Sequence, residues 1–121
     1  MRITGEVSVV FDCREPLTLA TFWQGLVGGS VDESTSSPDW VELKGITGLG
    51  YLGFQRVPES KKVKNRVHID LTVDDIATST NAAIQRGANA IGAVVEESTN
   101  WFQVMADPEG NEFCFVRLRQ N

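Results

Sequence analysis

The 121-residue chain is predicted to fold as an α+β protein of two βαβββ modules. Their sheets are expected to form an open, incomplete barrel, a cup, with the helices outside. Three observations predict this. A strand–helix–three-strand pattern is written twice, at an offset of about 60 residues, and a repeat of that period marks a repeated structural unit. Each helix pattern closes on glycine. Each sheet also has two faces and one helix to cover it, so the second face must curl into a hollow or meet another surface. The modules, about residues 1–60 and 61–121, are read as one domain, 1–121, because the length suits one core. The polar tether Pro58 to Asn65 carries no long Gly/Ser tract.

In the first module, Val7, Val9 and Phe11 alternate with Ser8, Val10 and Asp12, the period of a strand with one buried face. Pro16 suits the first helical turn, where its missing N–H has no partner to lose. Leu19, Phe22, Trp23, Leu26 and Val27 follow at steps of three and four, which makes one helix face apolar and Trp23 a core residue. Gly28-Gly29 ends the helix. A short strand begins at Val31, and Thr35 to Asp39 is turn chemistry. Strands follow at Trp40 to Leu43 and Tyr51 to Val57, joined through a glycine-bearing hairpin region.

The second module opens with Val67, Ile69 and Leu71 alternating with His68, Asp70 and Thr72. Asp74 or Asp75 caps a helix that carries Ile76, Ala83 and Ile84 on one face and ends at Gly87. Ala88 to Val95, Trp101 to Met105 and Glu112 to Leu118 are the remaining strands. Asp107-Pro108-Glu109-Gly110-Asn111 is the turn between the last two.

Composition narrows the function. A net charge of −5 disfavours nucleic acid and anionic membrane as partners. No apolar run approaches the ~20 residues of a membrane span. The opening residues lack a signal-peptide pattern, so a cytoplasmic location is expected. Cys13 and Cys114 are too few for a disulfide framework and are expected as thiols. No phosphate-cradling glycine motif or serine nucleophile elbow is present.

Several side chains stand out as site candidates. His68 has the phase opposite to Val67, Ile69 and Leu71, which sends it away from the helix-covered core; it serves binding or proton transfer, or is a hydrogen-bonded structural residue. Trp40, Tyr51 and Trp101 would face or rim the cup as the aromatic wall of a ligand pocket, or pack between subunits or modules. Gln55 and Gln103 would orient a ligand by hydrogen bonds, or face solvent. Glu112 is a candidate general base if an apolar hollow raises its pKa, or else a strand-end carboxylate beside the turn. The run Lys61 to Arg66 would guide an anionic metabolite, or is a solvated loop. Cys114, between Phe113 and Phe115, reads most simply as a small apolar residue.

Three stretches carry a family resemblance: Phe11-Asp12-Cys13-Arg14-Glu15-Pro16 running into Phe22-Trp23, Lys64 to Leu71, and Met105 to Cys114. Together they resemble the vicinal oxygen chelate superfamily of glyoxalase I, bleomycin-resistance proteins and extradiol dioxygenases. The likeness is to its glyoxalase-like subgroup, common as small stand-alone bacterial proteins. It implies a divalent metal at the bottom of the cup, with one ligand each from the first, fourth, fifth and eighth strands. Those positions fall on Ser8, Gln55, His68 and Cys114, of which only His68 is a usual ligand. Cys114 stands where the family has glutamate, two residues beyond Glu112. No metal cofactor is therefore expected. If a divalent ion binds, its ligands would be His68, Gln55 and Glu112, or a shifted set of His68, Asp70 and Glu112.

The resemblance implies recognition of a small organic molecule in the cup by a homodimer, with a lyase or isomerase step if the protein is an enzyme. In that reading His68, Gln55 and Glu112 would be catalytic, and Ser8, Trp40, Tyr51, Trp101, Gln103 and Cys114 would line the ligand. The alternatives are a metal-free drug-binding protein of the bleomycin-resistance kind, a metal-dependent dioxygenase, and an interaction module whose cup is filled by a partner.

Overall fold

The structure, a computed structural model, describes residues 1–120. Its elements run β1 (Val9–Cys13), α1 (Pro16–Val27), β2 (Ser30–Val31), β3 (Trp40–Lys44), β4 (Leu52–Arg56), β5 (Ile69–Thr72), α2 (Ile76–Gln85), β6 (Asn89–Glu96), β7 (Asn100–Ala106) and β8 (Glu112–Leu118). They form two compact units, Met1–Ser60 and a second that begins at Lys61. Each holds one helix and one four-stranded mixed sheet, ordered β1-β4-β3-β2 and β5-β8-β7-β6, and neither sheet closes into a barrel. The protein is thus α+β with two βαβββ modules. Among the described residues, no helix is long and apolar enough to cross a membrane.

In the first unit α1 starts at Pro16 and stops at Gly28, whose φ of +77° is costly for other residues and whose N–H donates to Gln24 O. Leu19, Ala20, Phe22 and Trp23 are buried against the sheet, where the ring of Phe11 meets that of Trp23 edge-on at 5.0 Å. β1 runs parallel to β4, and β3 runs antiparallel to it. That register puts Val41, Leu43, Leu52 and Phe54 on the helix-covered face, all at most 2% exposed. Val10, Asp12, Trp40, Glu42, Gly53 and Gln55 fall on the opposite face.

The second unit repeats the layout. β5 runs parallel to β8, with Ile69 beside Phe113 and Asp70 beside Cys114. The α2 cap is Asp75, whose carboxylate accepts from Ala77 N–H and Thr78 Oγ1. Ile69, Leu71, Met105, Phe113 and Phe115 share the face that α2 covers. The buried carboxylate of Asp107 organises the turn into β8: it accepts from Glu109 N–H at 2.9 Å, Asn111 N–H at 3.0 Å and Asn111 Nδ2 at 3.0 Å.

Three details depart from the sequence reading. Val7 and Val67 lie just outside β1 and β5 and are 58% and 78% exposed. Both strands start later than the alternation indicates, because the ladders with β4 and β8 begin only at Val9 and Ile69. Ile84 is also exposed. Ala83 lies seven residues after Ile76 and returns to the same side of the helix, whereas an eighth residue overshoots by about 80°.

Candidate functional site

On the open face of the first sheet the indole of Trp40 and the phenol of Tyr51 meet edge-to-face at 6.0 Å. They do so over Gly53. A Cβ there would lie 2.8 Å from Trp40 Cη2 and 3.2 Å from Tyr51 Cε1, so only glycine lets both rings lie down on the strand. Trp40 Nε1 donates to Glu42 Oε2 at 2.7 Å, which fixes the ring plane. Lys44 holds Glu42 at 3.5 Å and Asp32 at 2.6 Å. The hydrogen bond from Lys44 lowers the Asp32 pKa to about 2. Gln55 stands exposed on the same face, in register with Trp40 on β3 and Asp12 on β1. Ser8 Oγ accepts the Tyr51 N–H at 3.1 Å and pins the approach to β4.

In the second unit His68, Asp70 and Cys114 converge. Their ligand-capable atoms lie within 4.8 Å of one another, and His68 Nδ1 stands 3.1 Å from Asp70 Oδ1. The parallel register brings Asp70 beside Cys114, and alternation puts His68 on the same side as Asp70. His68 and Asp70 are half-exposed, while Cys114 is 8% exposed. Burial, aided by the charge of Asp70, pushes the Cys114 thiol above its ordinary pKa, against the pull of Lys64.

Three candidate residues have well-defined surroundings. Glu112 is held by its neighbours. Its carboxylate meets Lys61 Nζ at 2.7 Å and accepts the Asn65 N–H at 2.6 Å, while Asn65 Nδ2 donates to its carbonyl. Burial raises its pKa, but the Lys61 and Asn65 bonds outweigh that and leave it below the usual carboxylate value. The same bonds fasten part of the basic run to the start of β8. Gln103 is buried in register with Phe115, and its Nε2 donates to the carbonyls of Ile91, Gly92 and Val104. It satisfies the backbone at a break in the β6–β7 register between Ile91 and Val95. Trp101 shares its strand phase with Gln103 and so projects to the α2 side, with the guanidinium groups of Arg117 and Arg119 5.3 and 4.1 Å from its ring. Gln103 and Trp101 thus lie on the helix-covered side of β7.

Glu42 and Gly53 are not among the sequence candidates, and Lys61 and Asn65 enter there only as members of the basic run. Of the first two, only Gly53 left a signal, as a glycine interrupting a strand. A cavity of about 440 Å³ lies in the first unit at the start of α1, lined among others by Glu15, Pro16, Val31, Pro38 and Arg56. None of the candidate residues borders it.

The Lys61–Glu112 pair makes a pH prediction. A carboxylate whose folded pKa is depressed contributes stability above its unfolded pKa and loses it as pH falls through the folded value. The melting temperatures of the wild type and Lys61→Met should therefore differ at neutral pH and converge as pH falls through the depressed Glu112 value, below the ordinary carboxylate range. A difference independent of pH would assign Lys61 a packing role instead.

The four positions that the superfamily uses for metal do not suit an ion as they stand. Ser8 Oγ is occupied by a backbone N–H, and Glu112, the nearest substitute on β8, is held by Lys61 and Asn65.

A family model described as a glyoxalase-like domain matches residues 8–116. Among solved structures, a glyoxalase/bleomycin resistance protein/dioxygenase family enzyme from Burkholderia phytofirmans PsJN superposes with a TM-score of 0.78 at 24% identity, over 95% of this chain and 100% of that one. The fosfomycin resistance protein FosX from Mesorhizobium loti gives 0.74 at 12% identity, over 98% and 95%. A hypothetical protein from S. aureus gives 0.73 at 15%, over 97% and 95%. No curated protein matches the chain. At these identities the structures speak to the fold.

Proposed function

The chain belongs to the glyoxalase-like domain family, and on that premise we propose that it recognises a small organic molecule with a planar part on the open face of its first sheet. The observation that carries this reading is the Trp40–Tyr51 pair laid over Gly53. Two amphipathic rings held at right angles offer one face and one edge, which suits a ring or conjugated system. Gln55 beside them supplies an amide donor and acceptor for orientation. Small-molecule sites combine this kind of apolar wall with few polar groups. A lyase or isomerase step would also require a group that moves a proton. The residue we assign to it is His68, the single histidine of the chain, whose Nδ1 is oriented by Asp70.

The test is a thermal-shift screen with planar aromatic compounds, neutral and anionic. A compound binding the native state raises the melting temperature. Trp40→Ala should weaken the best compound at least ten-fold, about 1.4 kcal/mol, and Trp101→Phe should leave its affinity unchanged. A panel that shifts nothing, or a hit that binds Trp40→Ala as well as wild type, overturns the reading.

A further inference from the structure

We infer that the cavity between the first turn of α1 and the β2–β3 connection binds a small zwitterion. The ligand class is a free amino acid or short peptide with an apolar side chain, its carboxylate on Arg56 and its ammonium on Glu33. The cavity has a volume of about 440 Å³ and lies wholly within the first unit. It opens on the helix side of the first sheet, where Val41 and Val31 point, and not on the open face that carries Trp40 and Gln55. The inference therefore does not depend on the ligand-binding role of Trp40 and Tyr51.

The placing of Arg56 carries the inference. Strand alternation turns Leu52 and Phe54 of β4 toward α1, and Arg56 is the next residue in that phase. A position that would otherwise extend the apolar row is thus given to a guanidinium. Arg56 borders the cavity, yet among the described residues its side chain has no hydrogen-bond or ion-pair partner. Glu33 borders the same cavity and is likewise unpaired. Two opposite charges therefore line one cavity without neutralising each other. A guanidinium grips a carboxylate through two parallel N–H bonds, and a carboxylate accepts from an ammonium group. Glu15 adds a second carboxylate to the lining, which favours the ammonium end and disfavours a simple anion.

The remaining lining suits the rest of such a molecule. Pro16 and Val41 are buried and Val31 is half-buried beside Leu43, which gives an aliphatic side chain an apolar floor. The volume falls among those of small-molecule sites, roughly 300 to 1,000 Å³, where apolar walls carry a few polar groups. A neutral apolar molecule would cover Arg56 without pairing it, and a polyanion would meet Glu15 and Glu33.

Free leucine and leucylleucine are the probes, titrated into isotope-labelled full-length protein and followed by amide NMR shifts. Saturable shifts are expected at Val31, Val41 and Arg56, and the tighter probe tells an amino acid from a peptide as the source. Amidating the carboxylate of that probe, or acetylating its amine, should each weaken binding at least ten-fold. Arg56→Gln should abolish the amidation penalty alone, and Glu33→Gln the acetylation penalty alone, a pairing that a merely structural role would not produce. Both residues are exposed, so both variants should fold, and circular dichroism monitors this. Trp40→Ala should leave the binding unchanged. No saturable shift with either probe, shifts that follow Trp40 and Gln55 instead, a blocked probe that binds as tightly as the free one, or penalties that survive both substitutions would overturn the assignment.

Discussion

Trp23→Ala is expected to destabilise the protein by about 3 to 5 kcal/mol, the range for deleting a buried large aromatic side chain. Trp23 is 1% exposed and meets two other rings edge-on, Phe11 at 5.0 Å and Phe22 at 5.8 Å. Such pairs add about 0.5 to 1.5 kcal/mol each beyond burial. The cavity opens between α1 and β1, so the loss falls on the contact that seats the helix on the first sheet. Urea unfolding should show a lower midpoint with little change in slope, because the surface exposed on unfolding stays nearly the same. In a chain of this length the melting temperature should fall on the order of 10 to 20 °C. A loss under about 1 kcal/mol would mean that neighbours collapse into the space and that Trp23 is not the anchor of α1.

Asp107→Ala should cost about 3 kcal/mol through a different mechanism. The buried carboxylate collects hydrogen bonds from two backbone N–H groups and one side-chain amide. Bonds to charged groups contribute about 1.5 to 3 kcal/mol, and donors left buried without a partner carry a desolvation penalty. Asp107→Asn keeps one acceptor oxygen but turns an NH₂ group toward the donors, so it should recover only part of the loss. The turn also sets where β8 begins. The alanine variant should therefore loosen the hold of Lys61 and Asn65 on Glu112, and amide hydrogen exchange at Asn65 should quicken. Protection at Asn65 equal to that of wild type would separate the turn from that clamp.

Much of this architecture was legible in the residues. Period-two alternation around Phe11 and Leu71, helical spacing through Leu19, Phe22 and Trp23, the helix cap near Asp75 and the Asp107–Asn111 turn all reflect forces that act over a few residues. The site was less legible. Trp40 and Gln55 lie in register on the open face of the first sheet, and the Tyr51 ring meets Trp40 there. Trp101 and Gln103 project to the α2 side, because their phase depends on which face of the second sheet α2 covers. Glu112 has the expected alternation phase but is held by Lys61 and Asn65, partners distant in sequence.

By itself, then, the order of residues determined the two-fold repeat, the identity and sequence of the elements, and the placing of His68 opposite the aliphatic side of its strand. Hydrophobic periodicity and turn chemistry are local and leave their mark on neighbouring positions. The tertiary structure alone decided which donors meet. The pairing of β5 with β8 put Asp70 beside Cys114, and the loop carrying Lys61 and Asn65 took Glu112 out of contention. Strand register and long-range ion pairs join residues far apart along the chain, and their free energy exists only once the backbone has closed around them.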